Sequence, residues 1–130
     1  MWIYEQATGR LLHDGKLIAV GYSGFGPGKN SPAKQRERGI GPIPAGHWRL
    51  GPTFDSEGHG PLCCRLVPCH GTETFGRDGF LCYGDSRSHP GQASRGCIIM
   101  PHDVREQMAR STDRDLQVVQ GSQEVICSDA

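Results

Sequence analysis

Apolar and polar residues alternate in short runs along most of this chain, a pattern that predicts strands with one buried face. Trp2-Ile3-Tyr4 is the first such run, and Ala7-Thr8-Gly9 turns the chain after it. Arg10 to His13 and Lys16 to Tyr22 flank Asp14-Gly15, and an Asp-Gly pair between apolar runs is a strong hairpin signal. The N-terminal third therefore reads as a β-meander. From Ser23 to Gly41 the pattern dissolves into glycines, prolines and a mixed-sign patch from Lys34 to Arg38, which predicts a surface loop bordering a cleft.

Periodicity returns where the proline-ruled Gly41 to Ala45 enters a strand with Trp48 and Leu50 on one face. A polar turn from Asp55 to Gly60 leads to a strand over Leu62 to Val67, and a loop from Cys69 to Gly79 leads to another over Phe80 to Tyr83. After a Gly/Ser/Pro-rich loop, Ile98-Ile99-Met100 is a further apolar segment. Helical spacing begins only at His102-Asp103, with Val104, Met108 and Gln107 on one face, and ends near Ser111. Leu116 to Val119 is a closing strand. The expected fold is mostly β, a β-sandwich or curved sheet with one α-helix, in a single domain over 1–120 followed by a tail over 121–130.

Composition narrows this further. A chain of 130 residues holds one core, and 19 glycines with 9 prolines suit short strands and turns. Fourteen basic and fourteen acidic residues cancel, so no global charge points to nucleic acid or an anionic membrane. No apolar run approaches the roughly 20 residues of a membrane span. The start, Met1-Trp2-Ile3-Tyr4-Glu5, lacks the basic and apolar regions of a cleavable signal. Of the six cysteines, Cys63 and Cys64 are adjacent and point to opposite faces of a strand, which argues against a disulfide framework. Most of the six read as small buried hydrophobes.

Candidate chemistry concentrates between Gly79 and Pro101. Cys97 sits in a Ser94-Arg95-Gly96-Cys97 turn after a strand and a polar loop, a placement suited to a nucleophile. Gly96 allows close backbone approach, its amide and that of Cys97 are candidate oxyanion donors, and Arg95 adds positive charge that favours a thiolate. Plainer roles stand beside these. Tyr83 suits core packing, Asp85 a turn brace, Arg77 a structural salt bridge or a carboxylate site, and His89 and His70 solvated loops.

Taken together, Ile43-Pro44-Ala45-Gly46, Phe75-Gly76-Arg77 before Gly79-Phe80, Gly84-Asp85 and Ala93-Ser94-Arg95-Gly96-Cys97-Ile98-Ile99 resemble the L,D-transpeptidase (YkuD-type) catalytic domain. The resemblance spans about Trp2 to Val119 and is nearest to the short branch that includes type VI secretion effectors. It implies a cysteine nucleophile that attacks the third residue of a peptidoglycan tetrapeptide stem and expels the terminal D-alanine. The outcome is L,D-carboxypeptidase action or D-amino-acid exchange, with no cofactor and no metal. By position, Cys97 matches the nucleophile, Ser94 a polar loop residue, Gly96 and Cys97 the oxyanion donors, and Arg95 a place often held by histidine. Arg77, Asp85 and His89 are the candidate substrate-binding residues. The same resemblance implies synthesis in the cytoplasm, action in the periplasm, and a cognate immunity protein and secretion machinery as partners. A monomer is expected.

Tyr83 departs from the pattern, because it stands where the family has the histidine that orients and deprotonates the cysteine. A phenol of ordinary pKa near 10 does not serve as a base at neutrality. Either His89 or His70 supplies the base, or Arg95 lowers the Cys97 pKa, or the fold survives as a non-catalytic peptidoglycan-binding or decoy module. A third reading is a structural zinc domain built on Cys63, Cys64, Cys69, His70 and Cys82.

Overall fold

The computed structural model describes residues 1–123. Cys127 and most of the expected tail lie outside the described residues. The elements follow the apolar runs closely: β1 (Trp2–Glu5), β2 (Arg10–His13), β3 (Lys16–Val20), β4 (Tyr22–Ser23), β5 (Gly46–Ser56), β6 (Gly60–Pro68), β7 (Leu81–Tyr83), β8 (Ile98–Ile99), α1 (His102–Arg110) and β9 (Asp115–Val119). The fold is mostly β with one helix. Two short 3-10 turns, Gly26–Gly28 and Pro32–Lys34, punctuate the irregular loop.

All nine strands belong to one sheet in the order β3-β2-β1-β9-β5-β6-β7-β8-β4. One sheet replaces the alternative of a two-sheet sandwich. β1, β2 and β3 are the expected antiparallel meander. β9 inserts between β1 and β5, parallel to the first and antiparallel to the second, and so joins the meander to the long β5–β6 hairpin.

Flat, nine strands spaced at about 4.8 Å would separate the outer two by roughly 38 Å. Yet β3 and β4, the two edges, are joined through Gly21 alone. Successive Cα atoms are about 3.8 Å apart, so Val20 and Tyr22 lie within about 7.6 Å and the sheet has to roll. The expected single run from Lys16 to Tyr22 is therefore broken at Gly21, whose N–H donates to the Gly9 carbonyl at 2.7 Å. A Cβ on Gly21 would run into the carbonyl of Ile99, and one on Gly9 into the carbonyl of Gly21.

Rolling gives the sheet a concave side. There Trp2, Tyr4, Leu11, Trp48, Leu50, Cys64, Leu66, Cys82, Ile98, Leu116 and Val118 meet in one core, closed by Met100, Val104 and Met108 of the helical segment. A smaller cluster of Cys63, Tyr83 and Ile99 occupies the other face, with Tyr22, Phe54, Leu81, Ala93 and Cys97 packed against it. Alternation explains the division, since Cys82 and Tyr83 are neighbours on one strand and point to opposite faces, as expected.

α1 places Asp103 in its first turn and Arg110 in its last, both favourable to the helix dipole. Val104 and Met108 are buried as expected, but Gln107 is exposed and Arg105 is buried instead. The Arg105 guanidinium donates to the carbonyls of Met100 at 3.0 Å, Pro61 at 2.8 Å and Leu62 at 3.1 Å, which is what makes its burial tolerable. No helix among the described residues is long and apolar enough to cross a membrane.

Gly21→Ala is expected to cost about 3 kcal/mol or more, because the backbone oxygen it meets cannot move without opening the β4–β8 pairing. Gly58, with open space around a Cβ, is the control, and Gly58→Ala is expected to stay within about 0.5 kcal/mol. Urea unfolding midpoints of the two variants check both values.

Candidate functional site

β7 and β8 run parallel, with Cys82 beside Ile98 and Tyr83 beside Ile99. That register sets the residue before β8, Cys97, next to Leu81, and the Leu81 N–H points at Cys97 Sγ at 3.3 Å. Ser94 shapes the turn that delivers the cysteine. Its buried hydroxyl donates to the Cys97 carbonyl at 2.5 Å and accepts from the amides of Gly96 at 3.1 Å and Gly24 at 2.8 Å. Ser94 thus positions Cys97 by holding its backbone. The Gly96 amide, expected as an oxyanion donor, is turned to Ser94 instead. Gly96 adopts φ +133° with the Arg77 guanidinium against it, so a side chain there would be strained and blocked.

Arg77 is buried and forms no salt bridge among the described residues. Its guanidinium donates to the carbonyls of Gln35, of Pro42 at 2.8 Å and of Gly41 at 2.9 Å, with the Arg95 carbonyl at 3.5 Å. It clamps the Ser23–Gly41 loop to the cysteine turn. Arg95, expected beside the thiol, lies over the Phe25 ring at 4.0 Å. The positive charge that acts on Cys97 is that of Arg77.

Burial pushes the Cys97 thiol up, against the expectation of a lowered pKa. The Leu81 amide, the Tyr83 hydroxyl and the Arg77 charge pull it down by less than burial raises it. Tyr83 is buried, its phenol pushed up first by burial and next by Cys97, so it is neutral at physiological pH. Its hydroxyl donates to the Ala93 carbonyl at 2.7 Å and also meets the Cys97 sulfur. A phenol has one proton, so the Ala93 carbonyl and a Cys97 thiolate compete for it, while the neutral thiol is directed at the Gly79 carbonyl at 3.8 Å.

A cavity of about 530 Å³ adjoins Tyr83 and is lined by Phe25, His59, Tyr83, Asp85, His89 and Arg95 among others. Cys97 lines a smaller neighbouring cavity of about 140 Å³ with Arg77, Phe80 and Gly96, and Arg95 borders both. His59 is the residue that sequence reasoning missed. It sits on the exposed β5–β6 turn, and its ring stacks on Tyr83 at 4.1 Å and 18°. A histidine between glycines in a polar turn carries no signal of this; only the hairpin's length brings it over Tyr83.

His89 lines the same cavity, exposed, with its Nδ1 beside the Ser88 hydroxyl at 3.1 Å. His70 is exposed on the loop after β6 and lines none of these cavities. Asp85 braces its loop: it accepts from the Tyr22 hydroxyl at 2.5 Å, from the Ser86 amide at 2.8 Å and from the Gly91 amide at 3.1 Å. Hydrogen bonds from these donors hold its carboxyl below the ordinary range although burial opposes them, and Tyr22 in turn is pushed up to about 12, by burial and by Asp85.

Among the described residues, Cys63, Cys64, Cys69, Cys82 and His70 do not bring three ligand atoms together. Cys63 belongs to the outer cluster and Cys64 with Cys82 to the main core. Among the described residues one set, His13, Asp14 and Asp113, brings metal-type ligand atoms together, and the N-terminal ammonium is already paired with both carboxylates. Comparison with family models, with curated proteins and with solved structures finds no match to the chain.

Because burial disfavours its thiolate, Cys97 is expected to alkylate more slowly at pH 7 than an unhindered thiol, with a midpoint above the ordinary 8.5 or so. Tyr83→Phe removes a hydrogen bond that favours the thiolate and is expected to slow labelling a further tenfold or so. Peptide-resolved mass spectrometry of iodoacetamide labelling against pH reads both effects.

Proposed function

We propose that this protein is an acyl-transfer enzyme of the L,D-transpeptidase type, acting on peptidoglycan tetrapeptide stems with Cys97 as nucleophile. The observation that carries the reading is Cys97 itself, held at the mouth of a cavity by a serine-braced turn, with an amide, a phenol and a guanidinium turned towards its sulfur. The thiolate attacks the carbonyl of the third stem residue, and the tetrahedral oxyanion lies against the Cys97 amide. Collapse breaks the C–N bond, and the D-alanine amine leaves with a proton. Water or the amine of a D-amino acid then cleaves the thioester, returning the thiol.

The thiol proton needs an acceptor, and Tyr83 is too weakly acidic to cycle as an ordinary base. In this proposal His59, which lines the cavity beside Tyr83, takes that proton through an intervening water. Histidine is the side chain whose ordinary pKa lies near neutrality, and the His59 ring already lies on the phenol that touches the sulfur. Action in the periplasm, delivery as a type VI effector and an immunity partner belong to the same proposal. A second reading, a stem-binding module without turnover, is favoured by the raised thiol pKa and by tyrosine at position 83.

The test is incubation with a tetrapeptide muropeptide, with and without excess free D-amino acid, read by mass spectrometry. Loss or exchange of the terminal D-alanine is expected, abolished by Cys97→Ala. His59→Ala is expected to lower kcat about a hundredfold or more. Binding of the muropeptide without any change of mass supports the second reading.

A further inference from the structure

Two buried thiols stand apart from the candidate site. Cys64 on β6 and Cys82 on β7 are register partners in an antiparallel ladder, and both are wholly enclosed in the main core. The Leu66 N–H donates to the Phe80 carbonyl at 3.0 Å. Alternation along the ladder then makes Cys64 and Cys82 a hydrogen-bonded pair, whose Cα atoms lie about 5.5 Å apart. Disulfides most often span about 5.5–6 Å between Cα atoms, and residues directly opposite one another send their side chains to the same face. Cys64 Sγ is directed at the carbonyls of Gly51 on β5 and of Arg65, each at 3.6 Å, and both are weak sulfur contacts that a disulfide would replace.

We infer that Cys64 and Cys82 are a cross-strand disulfide site, closed by a disulfide oxidant such as oxidised glutathione or a thiol-disulfide oxidoreductase of an oxidising compartment. One thiolate attacks the oxidant's S–S bond, and the mixed disulfide is then displaced by the other thiolate. The S–S bond between Cys64 and Cys82 forms, two protons leave the protein thiols, and the oxidant is reduced to two thiols. Enclosure fixes the timing. In the folded protein neither sulfur is reachable, so the exchange happens while the chain folds, before the core shuts.

Cys63 is no substitute. It faces the opposite side of β6 with Tyr83, and its thiol is directed at the Gly60 carbonyl at 3.5 Å. A bond between Cys64 and Cys82 closes the loop from Arg65 to Leu81 and staples the strand that carries Tyr83 to the long hairpin. It makes no use of the acyl-transfer reading and stands or falls separately from it.

The test refolds the full chain from guanidinium, once in a glutathione redox buffer and once in dithiothreitol, followed by alkylation, intact mass and peptide mapping. Expected in the oxidised sample are a mass lower by two hydrogens before alkylation, one cross-linked peptide joining Cys64 to Cys82, and a thermal midpoint higher by roughly 10 °C. A Cys63→Ala/Cys69→Ala variant, which leaves the pair intact, is expected to retain the bond. Full alkylation of both cysteines after oxidative refolding overturns the inference, as does a bond that maps to another pair or one that leaves the midpoint unmoved.

Discussion

Closure of the sheet through a single residue is the constraint on which the other features depend. Because Gly21 alone separates the two edges, nine strands have to roll, and rolling lets side chains from β1, β2, β5, β6, β7, β8 and β9 share one core. The seam is made of backbone: Gly9, Gly21 and Ile99 approach so closely that only glycines fit. Ile99 is also the partner of Tyr83, so the seam and the candidate site are adjacent parts of one construction.

The candidate site lies on the outer face of β7 and β8. A parallel pair with short strands leaves Leu81 and Tyr83 pointing outward beside the cysteine turn, and the loop that joins them folds back over Tyr83 through Ala93 and Asp85. The local polar groups are largely satisfied by one another. Ser94 holds two amides and a carbonyl, and Asp85 holds a phenol and two amides. The Cys97 sulfur is surrounded by groups that stabilise negative charge, yet burial outweighs them, so the site favours the neutral thiol at rest.

Much of the fold was legible in the sequence because strand burial is a local, period-two property. Trp48 and Leu50, Asp14-Gly15 and the Val104/Met108 face all read correctly from their own neighbourhoods. What stayed illegible depends on distant partners. The break at Gly21 is set by Ile99, the burial of Arg105 in place of Gln107 by carbonyls at Pro61 and Leu62, and the insertion of β9 by a pairing more than a hundred residues long in sequence. At the candidate site, a dense local motif singles out Ser94 and Cys97, whereas the contacts of Arg77, Arg95 and His59 are fixed by loops arriving from elsewhere.

The clamp made by Arg77 gives the surroundings of Cys97 two unlike sides. On one side a single guanidinium gathers carbonyls from Gln35, Gly41, Pro42 and Arg95, so those two stretches of chain can only move together. On the other side the β5–β6 turn rests on Tyr83 by ring stacking alone among its described side-chain contacts with the site. The sulfur is therefore bordered by a wall that one guanidinium ties down and, beyond Tyr83, by a turn that reaches the site through a single ring.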